Sequence, residues 1–212
     1  MNWADSALRF LVRRRDREAI IGDLLEEYRE EVLPTKGRLS ARLWYARQVL
    51  SFMSPVAWGL SIGLAAGTLQ LLDTAIAPLR EDTSVVMLVI AGALMLFWIM
   101  TSAVAKRPSG SFRDAVIAGV LVGTATMAVI HISAIVRVNV FLDQIRARED
   151  WVNLLSRFHA SGYQSLRVYA NYEYLRQSPL LLALGVVAGG FCGTVSGVIS
   201  GIARKPFARV SD

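Results

Sequence analysis

The sequence predicts an all-α membrane protein: four transmembrane helices, amphipathic cytoplasmic helices ahead of them, and a helical extracytoplasmic loop between spans three and four. Three observations predict it. Four stretches, 55–72, 85–105, 115–136 and 179–203, hold no Asp, Glu, Lys or Arg, and each is long enough to cross a hydrocarbon core of about 30 Å as a helix. Of the 212 residues 54% are apolar and only 19% charged, a balance typical of a small polytopic membrane protein. The Lys and Arg residues also sort by side: ten precede the first span, one lies between spans one and two, three between two and three, six between three and four, and three follow the fourth. With the N-terminus inside, sixteen fall on the cytoplasmic side and seven outside, so both termini are expected in the cytoplasm. The formal charge of +6 then belongs to cytoplasmic flanks, and no nucleic-acid partner is expected.

Two parts follow, a cytoplasmic helical prefix over 1–54 and a four-span membrane domain over 55–212. The start, Met1 to Asp5, lacks the basic-then-apolar order of a cleavable signal, so the first span serves as the membrane signal. Residues 3–12 place Trp3, Ala7, Leu8 and Leu11 at helical spacing, as a helix lying on a membrane surface would. From an Asp16 cap, Ile20, Ile21, Leu24, Leu25, Tyr28 and Val32 form one stripe opposite Asp23, Glu26, Glu27, Glu30 and Glu31; Pro34 and Gly37 end that helix. Those carboxylates read as a solvated face. Ser40 caps a third segment, 41–53, whose Arg42, Trp44 and Arg47 suit anionic lipid headgroups.

The spans themselves are rich in glycine. In span four Gly185, Gly189, Gly193, Gly197 and Gly201 recur at every fourth position, leaving one helix face almost without side chains. Lipid gains nothing from such a groove, whereas a second helix can approach it backbone to backbone. Gly59, Gly63 and Gly67 in span one, and Gly119 and Gly123 in span three, repeat the spacing. For spans one and three the expected use is packing within the chain; for span four, packing within the chain and a seam to another protein both stay open. The pattern Gly-x-x-x-Gly-Thr occurs at Gly63, Gly119 and Gly189, as two duplicated hairpins or convergent packing would give. Ser178 and Pro179 are expected to start span four and Asp114 to cap span three. The long loop 138–178 continues as a helical cap, with stripes at Val138, Phe141, Leu142 and Ile145 and at Trp151, Leu154, Leu155 and Phe158, and a break at Ser161-Gly162.

Little here can carry chemistry. His131 is the one basic side chain inside a span, and its register puts it on the helix interface, as an interhelical hydrogen bonder or as a proton- or ligand-responsive group. One cysteine, Cys192, builds neither a disulfide nor a thiolate metal site within one chain. No catalytic residue, metal site or cofactor is expected.

One resemblance stands beside this reading. Arg15-Asp-Arg-Glu18, Gly22-Asp-Leu-Leu-Glu-Glu-Tyr28, Gly37-Arg38 and Ala41-Arg-Leu-Trp-Tyr-Ala-Arg-Gln-Val-Leu50 resemble the second type of bacterial permease prefix domain, over about residues 8–53. The resemblance implies a multi-pass protein of the bacterial inner membrane in the neighbourhood of transport complexes. Permeases with this prefix carry a large extracytoplasmic domain after their first span; here that loop is about a dozen residues, so permease activity does not carry over. The function expected is that of a non-enzymatic accessory or scaffold subunit. It would pack through its glycine faces against another membrane protein or its own copies, with anionic lipid on the cytoplasmic side. A small channel or transporter, and a tethered regulator acting through the cytoplasmic helices, are the alternatives.

Overall fold

The computed structural model of the chain describes residues 17–51, 54–80, 84–104 and 111–203, and every regular element among them is helical. The expected surface helix 3–12, the Asp16 cap and the basic flanks after spans two and four lie outside those residues. The chain divides into two units, Met1–Ser54 and Pro55–Asp212.

In the first unit α1 (Arg17–Glu27) runs into a π-helical turn, Tyr28–Val32, and then α2 (Leu33–Ser51). Proline explains the turn. Pro34 has no amide hydrogen for the carbonyl four residues back, and just ahead of it Leu33 donates five residues back, to the Tyr28 carbonyl. At Gly37 the backbone takes φ +73°, which glycine adopts without a Cβ clash, and α2 bends there. The kink at Gly37 separates two helical stretches, so the helix expected to end at Pro34 and Gly37 does end at Gly37. Leu24, Tyr28 and Val32 meet Ala41 and Tyr45 in a small core, with the Tyr28 and Tyr45 rings edge to face at 5.3 Å.

The second unit contains α3 (Pro55–Ile76), α4 (Ser84–Val104), α5 (Phe112–Ile145), a 3₁₀ turn (Glu149–Trp151), α6 (Val152–Ala160) and α7 (Leu166–Ala203). Helices α3, α4, α5 and α7 are each long and apolar enough to cross a membrane, consistent with a multi-pass membrane protein. The 34 residues of α5 and 38 of α7 would span about 51 and 57 Å, well beyond a core of about 30 Å. Their surplus turns pack on each other as a head. Val138, Leu142 and Ile145 continue the buried stripe of α5 and meet Trp151 and Ala170, with Phe141, Leu154, Leu166 and Tyr174 against them. Gly162, at φ +74°, turns the chain from α6 toward α7.

Two expected helix starts are corrected. Ser111, not Asp114, is the N-cap of α5: its hydroxyl accepts the Asp114 amide at 3.1 Å, which puts Asp114 in the first turn. Span four does not begin at Ser178-Pro179, because α7 starts at Leu166 and runs through Pro179. An interior proline costs a backbone hydrogen bond and crowds the preceding turn. Here the turns before it are held by side chains that bond or pack across to α5, so the helix continues.

Helix α5 is the centre of this unit. Gly59 lies against Val122 and Gly67 against Ser133, so α3 runs parallel to α5; Gly119 lies against Gly193 and His131 against Ser178, so α7 runs antiparallel to it. Helix α4 joins through its C-terminal half, where Trp98 is buried with Val122 and Cys192, and Leu94, Met95 and Ile99 pack on them. From Val85 to Ala93 every residue of α4 is exposed.

Candidate functional site

The glycine rows form two seams on α5, and both close within the chain. On α7 a Cβ placed at Gly189 would strike the Gly119 carbonyl, one at Gly193 the Ala115 carbonyl, and one at Gly185 the Gly123 carbonyl oxygen at 2.9 Å. From the other side, a Cβ at Gly119 or Gly123 would strike the carbonyl of Gly189 or Gly185. A Cβ at Gly197 would sit 2.8 Å from the Phe112 ring, and the surroundings of Gly201 lie outside the described residues. Backbone thus meets backbone at three successive levels, from Gly185 to Gly193, an approach that only the missing side chains permit. On α3, a Cβ at Gly59 would sit 2.5 Å from the Val122 carbonyl and 2.7 Å from the Ala125 Cβ, one at Gly63 2.7 Å from the Val129 Cβ, and one at Gly67 would strike the Ser133 hydroxyl.

Between the seams lies a hydroxyl that three helices share. Thr126, fully buried on α5, donates within reach of the Val122 carbonyl (2.8 Å) and the Gly59 carbonyl of α3 (3.1 Å), and accepts the Trp98 indole N–H of α4 at 3.2 Å. In an apolar surround those groups have no water to fall back on, so the knot fixes how α3 and α4 sit on α5. The sequence reading gave Thr126 no role. Its signal, a threonine in register with the glycine row of α3, becomes visible only once the two helices are paired.

His131 does face the α5–α7 interface. It is 7% exposed, its Nε2 lies 2.8 Å from the Ser178 hydroxyl, and its ring stacks on Tyr174 at 6.3 Å. Two turns further along α5 Asn139 and Asn171 exchange amide hydrogen bonds of 2.8 and 3.0 Å. Between Asn171 and Ser178 along α7 the buried Glu173 carboxylate accepts from Arg157 of α6 at 3.1 Å and has Arg176 at 3.9 Å. A ladder of rings, Phe158 with Tyr169, Tyr169 with Tyr163 and Tyr163 with Tyr172, covers this end, leaving Tyr163 and Tyr172 partly in the open. The polar side chains at this end therefore rivet α5, α6 and α7 together.

In the first unit Arg42 is exposed, as lipid contact requires, while Trp44 is half-buried against the unit's own core. One turn of α2 separates Trp44 from Ala41, so part of its ring packs on the buried stripe while the rest stays outside. The Arg47 side chain lies outside the described residues. Asp23, Glu26, Glu27, Glu30 and Glu31 line an open groove on the solvent side, and among the described residues no group of three metal-ligating side chains converges. No family model, curated protein or solved structure matches this chain.

Proposed function

We propose that this protein is a non-enzymatic accessory or scaffold subunit of the bacterial inner membrane. Both termini lie in the cytoplasm and the helical head stands outside. The excess of Lys and Arg before the first span, against one such residue in the loop after it, supports that orientation. The resemblance of residues 8–53 to a permease prefix supports a place beside transport complexes.

One observation carries the scaffold reading: the membrane bundle is filled by its own helices. Both glycine seams are closed by α5, and Trp98, Val122 and Cys192 occupy the middle, where a solute path would run. This supports a scaffold over a channel. It also moves the partner surface away from the glycine faces to what remains outward: the apolar outer half of α4 and the head around Tyr163 and Tyr172. His131 and Ser178 stand at the distance of a base and a nucleophile, yet they lie in a helix interface with Tyr174 on the ring, and their part is packing.

Photo-crosslinking residues at Leu88 and at Tyr172, introduced singly into the chain in native membranes, test the reading. A discrete adduct with one other membrane protein or with a second copy supports it. Ion or solute flux through vesicles containing the purified protein alone, with no adduct from either position, overturns it.

A further inference from the structure

The second half of α2 has one face buried in the first unit and another that nothing in that unit covers. Ala41 and Tyr45 point into the small core, with Trp44 packed against it, whereas Leu39 and Leu43 are 73% and 65% exposed. Arg38 and Arg42, one residue earlier at the same four-residue spacing, are exposed too. Two leucines in water at adjacent turns, flanked by guanidinium groups, form a short apolar ridge with a cationic border. The carboxylates of this unit, Asp23, Glu26, Glu27, Glu30 and Glu31, gather instead on α1 and its π turn.

We infer that this ridge is a docking face for an anionic bilayer surface, with Leu39 and Leu43 dipping into the headgroup boundary and Arg38 and Arg42 meeting lipid phosphates. Charge supports that occupant, since juxtamembrane arginines are attracted to the negative cytoplasmic leaflet. Chain length supports it as well: Ser51 is four residues from Pro55, where the first membrane-crossing helix begins, a reach of at most about 14 Å. Such a short tether holds the ridge at high effective concentration beside a bilayer, so weak docking suffices. A protein partner fits less well, because two leucines offer far less apolar area than a stable interface buries. An amphipathic helix lying in the membrane plane needs no more than this.

The inference rests on the membrane reading above, and the experiment separates the two. In the full chain with Cys192→Ala, an environment-sensitive fluorophore is attached through Leu43→Cys, Glu27→Cys or Leu88→Cys. Each protein is placed in nanodiscs of phosphatidylcholine, with or without phosphatidylglycerol, that also contain a quencher-bearing lipid. The label at Leu43 is expected to shift to the blue and be quenched in the phosphatidylglycerol discs, and to lose both effects without that lipid or with Arg38→Gln and Arg42→Gln. The label at Glu27 is expected to stay bright. A Leu43 label that is unquenched in both discs, blue-shifted without quenching as a protein cover would make it, or quenched no more than the Glu27 label, overturns docking while a quenched Leu88 label leaves the membrane reading intact. An unquenched Leu88 label overturns the membrane reading itself.

Discussion

The two glycine seams on α5 use one sequence motif to do unequal work. Against α7 the glycines of both helices interleave, so carbonyl and Cα atoms stand where side chains would be. Against α3 only one partner is bare, and Gly63 and Gly67 look onto side chains of α5, Val129 and Ser133. A side chain can change rotamer or be replaced by a smaller one, whereas a backbone wedged against a backbone can only move the helix. The α5–α7 seam is accordingly the rigid one, and one end of it is also riveted by His131 to Ser178 and Asn139 to Asn171.

Breaking the rigid seam should give the largest effect. Gly189→Leu drives a branched side chain into Gly119 and should destabilise the bundle by about 3 kcal/mol or more; the check is labelling of Cys192, now 0% exposed, by a membrane-permeant thiol reagent. Gly119→Ala, meeting the Gly189 backbone, should cost about 1–3 kcal/mol in unfolding from detergent. On the adaptable seam Gly67→Ala should cost less, about 1 kcal/mol. Adding Ser133→Gly should return most of that loss, a rescue that no single change at Gly119 or Gly189 would receive. Thr126→Val unties the knot between α3, α4 and α5 at a cost of about 0.6–1.7 kcal/mol, as interhelical hydrogen bonds in membranes are worth. Smallest of all, Gly92→Ala, with nothing within 4 Å of the added carbon, should be neutral or stabilise by up to about 1 kcal/mol. A loss at Gly92 as large as at Gly119 would show that helix propensity, not close approach, explains the glycines.

The first unit sharpens the contrast from the other side. Its core needs two rings, Tyr28 and Tyr45, and three small or branched residues, because in water apolar area itself is the driving force. In the membrane body the helices already sit among apolar chains, so burying a leucine gains little, and the residues of α3 that are buried are Gly59, Gly63, Gly67 and Thr74. Leu60, Leu64, Leu69 and Leu72 of the same helix stay outside.

What could be read from the chain and what could not follows from this difference. Helix existence was legible at every described span, because apolar length is a local property. The stripes at Val138, Leu142 and Ile145 and at Leu24, Tyr28 and Val32 were legible for the same reason, since each repeats at helical spacing. Helix starts were less so. Ser178-Pro179 has the residues of a start, and only the contacts of the preceding turns with α5 keep α7 helical through it. The partial packing of Trp44 on the first unit's core became visible only with the fold of α2 onto α1. Thr126 carried no local sign of the three-helix knot.

By itself the sequence determined that the chain forms long apolar helices with bare faces, since hydropathy and glycine spacing act within one segment. Tertiary structure alone decided which bare face met which: α7 against the glycines of α5, and α3 against the Val122 backbone and the side chains beyond it. A glycine row states that something can come close, but the identity of what does is a matter of the competing surfaces, and here the chain's own α5 covers both.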